Sequence, residues 1–172
     1  MPRNQGDFMR VILLTLSLLL AGSVLAEEPN IRTSSETYRD WEVTCIERGD
    51  QRQCEMKQTL VNQNNQLISV LTLAKTETSD NLLVQLIMPH MVDLTAAVNV
   101  QVDHNLAFEL PYRFCNQIAC YVLVENNPDM IEQFKEGTQA SITAFLVNGQ
   151  RLGLSFSLNG FSAAAQALLD TN

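Results

Sequence analysis

Sulfur and imidazole are the groups in this sequence best suited to chemistry. Cys45 and Cys54 stand nine positions apart, Cys115 and Cys120 five apart, and His90 and His104 are the two histidines. Four thiolates can hold zinc, but C-x8-C and C-x4-C are not the C-x2–4-C pairs of zinc sites. In an exported chain an even cysteine count reads as disulfides, with three connectivities open to four thiols. Met88-Pro89-His90-Met91 sets two thioethers beside an imidazole, soft ligands suited to Cu(I) outside the cytosol. Packing competes with that reading, because Met88 continues the parity of Leu82, Val84 and Leu86 and Pro89 then ends the strand. A periplasmic Cu(I)-binding or small-ligand protein using Met88, His90 and Met91 is thus the second expectation, behind a protein without cofactor.

Catalysis finds less support. A serine or cysteine nucleophile needs a base within hydrogen-bond reach, and His104 falls at the tip of a predicted turn. The chain has no G-x-S-x-G, H-E-x-x-H or glycine-rich phosphate loop. Its carboxylates fall mostly on outward strand parities, the pattern of a solvated surface. The expectation is a protein that is not an enzyme.

The 172 residues carry 11 Lys and Arg against 19 Asp and Glu, a net charge of −8. At roughly 100–200 residues per domain this is one domain, long enough to bury a core without a stapling metal. Apolar residues at 46% and charged residues at 17% exclude a wholly disordered chain. The acidic balance argues against nucleic acid or anionic lipid as main partner, since both are bound through phosphate neutralisation.

Residues 1–26 read as a secretory signal peptide. Arg3 and Arg10 precede an apolar run at 11–20, broken by Thr15 and Ser17, and small residues then lead to a cleavage site between Ala26 and Glu27. The stretch 11–26 is shorter than the roughly 20 residues that cross a bilayer, so no membrane span is expected after cleavage. Met9 is an alternative start, and no cysteine follows the small residues to carry a lipid. Cleavage removes Arg3, Arg10 and Asp7, leaving 9 basic and 18 acidic residues, net −9.

Past the signal, 27–39 is polar and without period and reads as a disordered leader. From 40 to 170 strand-like runs alternate with turn signals every 8–15 residues, as in a sandwich or barrel. Trp41, Val43 and Cys45 share one parity, and after Gly49-Asp50 so do Cys54 and Met56. Cys45 and Cys54 then face each other across a hairpin, where a cross-strand bridge has the right reach. Cys115 and Cys120 close a loop of four residues in the same manner. Runs 67–74 and 82–88 are apolar on both parities, which fits central strands covered on both sides.

Val98, Val100, Val102, Leu106, Phe108 and Leu110 are expected inward, around an Asp103-His104-Asn105 turn with Asn105 left-handed. Asn127-Pro128-Asp129 opens a helix that Gly137 stops. Asn148-Gly149 is the strongest hairpin signal, and a two-residue turn there sets Phe145 opposite Leu152 on the core face. Ser162 is expected to cap a last, alanine-rich helix to Leu169. About nine strands and two short helices give an all-β, antiparallel sandwich.

With these elements placed, the chain resembles the invasion-associated locus B family of exported Gram-negative bacterial proteins, over about 40–169. The resemblance rests on Asp40-Trp41-Glu42-Val43-Thr44-Cys45 with Cys54, the proline after a buried strand at Pro89, and the valine-rich strand 98–103. Phe114-Cys115, Ala119-Cys120 and Leu158-Asn159-Gly160-Phe161-Ser162-Ala163 complete it. Ala119 stands where the family usually has glycine, and His90-Met91-Val92 replaces an apolar-Gly-Val. The resemblance implies an immunoglobulin-like β-sandwich in the periplasm, at the cell surface or secreted, with bridges Cys45–Cys54 and Cys115–Cys120. It also implies help with host-cell invasion in some pathogens and no catalytic residues, and the leading expectation is a protein that acts by contact with an unidentified protein of the envelope or of a host surface.

Overall fold

A computed structural model describes residues 31–76, 81–125 and 127–170. The expected signal peptide, residues 1–26, and its expected cleavage site between Ala26 and Glu27 lie outside the described residues. Eleven strands form two antiparallel sheets. The larger contains β1 (Ile31–Tyr38), β2 (Trp41–Arg48), β3 (Gln51–Val61), β4 (Leu67–Lys75), β5 (Leu82–Met88), β9 (Cys120–Glu125) and β8 (Phe114–Cys115), in that spatial order. The smaller runs β11 (Arg151–Ser157), β10 (Gln139–Phe145), β6 (Val98–Val102), β7 (Phe108–Leu110). Helices α1 (Pro128–Glu136) and α2 (Phe161–Leu169) complete the sandwich.

Alternation decides which face is inward. Trp41, Val43, Met56, Leu71, Leu73, Val84, Leu86, Met88 and Val122 of the larger sheet are buried against Val98, Val100, Val102, Ala140, Ile142 and Phe156 of the smaller. α2 covers the inner face of β1–β4 and brings Phe161 edge-on to Trp41 at 5.1 Å and to Phe134 of α1 at 5.4 Å. In α1 the Asn127 side chain accepts from Met130 N, Pro128 lies in the first turn, and Met130 and Phe134 are buried one turn apart.

Four local expectations are corrected. Residues 31–38 are not a disordered leader but strand β1, paired with β2 from Ile31↔Arg48 to Tyr38↔Trp41. Its side chains lie almost wholly in solvent, so the ladder of backbone hydrogen bonds holds it and no apolar period marks it. Leu106 is 90% exposed, and Asp103 rather than Asn105 takes the positive φ, at 49°. The Asp103 carboxylate accepts from Thr138 N and Oγ and from Gln139 N, which fixes the β6–β7 turn against β10.

The β10–β11 turn has three residues, not two. Leu146 and Gln150 close it through Leu146 N to Gln150 O at 2.8 Å, and Gly149 alone is left-handed, at φ 81°. A two-residue turn needs positive φ at both central positions, and Asn148 does not supply it. The extra residue slips the register by one, so Ala144 faces Leu152 while Phe145 turns outward opposite Arg151. Finally, Gly160 at φ 92° precedes α2, and the Ser162 hydroxyl donates to Lys135 O instead of capping its own helix.

Candidate contact surface

The copper set does not assemble. Met88 is fully buried, with its sulfur 3.9 Å from Ser69 Oγ, whereas His90 is exposed and Met91, at φ 76°, is 66% exposed. His90 Nε2 donates to Gln117 O at 3.0 Å, which ties the residues after β5 to the β8–β9 loop. Among the described residues no three His, Cys, Asp or Glu side chains gather as a metal site. His104 is exposed in its turn, as expected.

The cysteines are bonded as Cys45–Cys54 and Cys115–Cys120, and each pair occupies directly opposed positions of neighbouring antiparallel strands. Cys45 and Cys120 are buried, and Cys115 is exposed at the sheet edge. In the intervening loop Asn116 Oδ1 accepts from Ile118 N and Ala119 N.

Residues 40–41 and 157–161, two of the sequence marks, meet in space. Trp41 Nε1 donates to Ser157 O at 3.0 Å, and the Ser157 hydroxyl donates to Asp40 Oδ2 at 2.6 Å. Gln58 completes the clasp: its amide donates to Asp40 O and Ser157 O and accepts from Ser157 N. Gln58 is 9% exposed and had no sequence signal beyond being an amide on an inward parity. At Gly160 a Cβ would stand 2.1 Å from Tyr38 O. These residues therefore join β2, β3 and β11 to the start of α2.

The outer face of the larger sheet is different in kind. On β4, β5, β9 and β8 the outward positions align across the ladder as Val70–Ile87–Tyr121–Phe114, then Thr72–Gln85–Leu123, then Ala74–Leu83–Glu125. Phe114 stacks on Tyr121 with centroids 4.7 Å apart and is 48% exposed. The sequence pattern called for strands covered on both sides, but both helices and the smaller sheet lie on the inner side. Only the inner half of that expectation holds among the described residues. Beyond β8 the apolar surface continues to Ile118 at 75% exposure. Met91 and Val147, both exposed, adjoin each other, with the Val147 N–H donating to Met91 O. Soluble proteins seldom leave a contiguous apolar patch of this kind unless something docks there.

Few titratable groups are displaced. Burial, with the nearby Asp93 charge, pushes Tyr112 up to about 12, and hydrogen bonds from Thr95 hold Asp93 below the usual carboxylate range. Hydrogen bonds from Thr138 lower Asp103 likewise. Each follows from local hydrogen bonding or burial.

Residues 41–169 match the model of the invasion associated locus B (IalB) protein family. The Invasion protein B homologs of Brucella abortus strain 2308 and of Brucella abortus biovar 1 strain 9-941 are each 27% identical over 134 residues, which cover 77% of this chain and 77% of theirs. The crystal structure of invasion associated protein B from Bartonella henselae superposes with a TM-score of 0.70 at 22% identity, covering 79% of this chain and 96% of that one. That likeness carries the fold, and the family match carries membership. The chain belongs to the invasion associated locus B family.

Proposed function

We propose that this is an exported, non-enzymatic protein that works by protein contact in the periplasm, at the cell surface or after secretion, in support of host-cell invasion. The observation behind this is the outer face of β4, β5, β9 and β8, whose row Val70–Ile87–Tyr121–Phe114 is apolar yet has no covering element among the described residues. Antiparallel sheets with one wet face alternate apolar and polar residues, as β2 does with Glu42 and Thr44 outward. A face that breaks this rule is finished by a partner. Export is supported by the 1–26 signal pattern, by both disulfides and by the family. A contact role is supported by His90 being engaged by a carbonyl and by Glu42, Glu47 and Glu55 pairing with Lys57 and Arg52 at the surface.

The test is genetic. A strain lacking the protein is complemented with the wild type or with the double variant Ile87→Lys/Tyr121→Lys, and host-cell entry is counted. The variant should fold, reach the same compartment and fail to restore entry. Full restoration by a correctly folded variant contradicts the reading.

A further inference from the structure

We infer that the outer face of the smaller sheet is a binding site for neutral oligosaccharide, separate from the apolar face of the larger sheet. A shallow basin of about 400 Å³ lies over β6 and β10, lined by Asn99, Ser141, Thr143, Phe145 and Arg151 among others. That volume falls in the range of small-molecule sites. A sugar ring offers hydroxyls that each donate and accept, and a flat C–H face. The basin matches both. Asn99 donates and accepts, Ser141 and Thr143 are hydroxyls, and Arg151 is a donor fork whose Nη2 lies 3.4 Å from Thr143 Oγ1.

The aromatic ring carries the argument furthest. Phe145 is 39% exposed at the end of this polar face because β10 pairs with β6 so that Ala140, Ile142 and Ala144 face the core. A phenylalanine held out of the core beside a guanidinium, an amide and two hydroxyls supplies the apolar platform on which a pyranose stacks. The lining also selects against other ligands. One guanidinium on a chain of net charge −8 does not attract phosphate or a polyanion. Apart from Phe145 and Ala107 the basin has no apolar side chain for a hydrophobic peptide. Gly153, opposite Thr143, keeps the approach open, since an added Cβ there meets nothing within 4 Å.

The experiment is a titration of the 15N-labelled mature protein, followed by backbone amide shifts. The probes are chitotriose, for the acetylated amino sugars of bacterial envelopes, and N-acetyllactosamine, for host surfaces, with inorganic phosphate as control. At least one sugar should move the amides of Asn99, Ser141, Thr143 and Arg151 together, and the one that does names the source. Gly153→Ile should abolish these shifts without lowering the melting temperature, and Asn99→Ala and Phe145→Ala should each weaken binding at least about tenfold. The inference is overturned if neither sugar binds, if the shifts lie elsewhere, if phosphate moves the same amides more strongly, or if Gly153→Ile binds as wild type. The apolar face of the larger sheet is not involved, so Ile87→Lys/Tyr121→Lys should bind sugar normally.

Discussion

The two halves of the larger sheet face the core alike and face outward in opposite ways. In β1–β3 the outward row Ser35–Thr44–Glu55 is polar, and Glu42 reaches Lys57 across the ladder at 3.7 Å. In β4, β5, β9 and β8 the outward row Val70–Ile87–Tyr121–Phe114 is apolar. The inner face of the first half carries Trp41 and Met56, that of the second Leu86 and Met88, all at most 2% exposed. Folding explains the inner faces of both halves and the outer face of the first. It does not explain the outer face of the second, which is why function is placed there.

Substitutions can break this comparison, beginning with the largest effect. Trp41→Ala should cost about 3–5 kcal/mol and Leu86→Ala about 2–5, measured by denaturant unfolding, because both leave cavities in one shared core. Ile87→Lys, one residue from Leu86 but outward, should cost about 1 kcal/mol or less. If it costs as much as Leu86→Ala, the outer face of this half is core and the contact account fails.

Next come the bridges, one in each half. Replacing Cys45 and Cys54 by serine, or Cys115 and Cys120, should each lower stability by roughly 2–3 kcal/mol, since both closed loops are short. Graded reduction with peptide mapping should open Cys115–Cys120 first, because Cys115 is exposed at the edge while Cys45 is buried within β2. Simultaneous opening would show that exposure does not separate the two halves.

A smaller effect is expected from an apolar dye. The native protein should enhance its fluorescence through the second half, Ile87→Lys/Tyr121→Lys should remove the enhancement, and Thr44→Lys should leave it. The smallest effect concerns pH. Hydrogen bonds lower the Asp103 pKa below its ordinary value of 3.8, so its contribution to stability is present above that value. The contribution is lost as pH falls through the lower folded value, and Asp103→Asn should flatten the acid limb of the melting-temperature curve. An unchanged acid limb would remove Asp103 from the account.

Strand periodicity, helix punctuation at Asn127-Pro128 and the two-sheet sandwich were legible because each follows from local side-chain preference. β1 was not, because a strand held by its backbone ladder, with exposed side chains, leaves no hydrophobic period. The Phe145 register was missed for another reason. Asn148-Gly149 fits two turn lengths, and the one chosen depends on whether Asn148 also takes positive φ. Met88-Pro89-His90-Met91 looked like a ligand set because proximity in sequence hides direction, and the chain turns Met88 inward and Met91 outward. The apolar outer face was visible as two-sided strands, but only the topology shows that one side lacks a cover among the described residues.

Photo-crosslinking in intact cells tests the central claim most directly, with the reactive residue placed at Gln85, two positions along β5 from Ile87 of the apolar outward row, or at Thr44, in the polar half. The account predicts a discrete protein adduct from position 85 that disappears with Ile87→Lys, and none from position 44. An adduct from position 44 alone, or from neither, would contradict it.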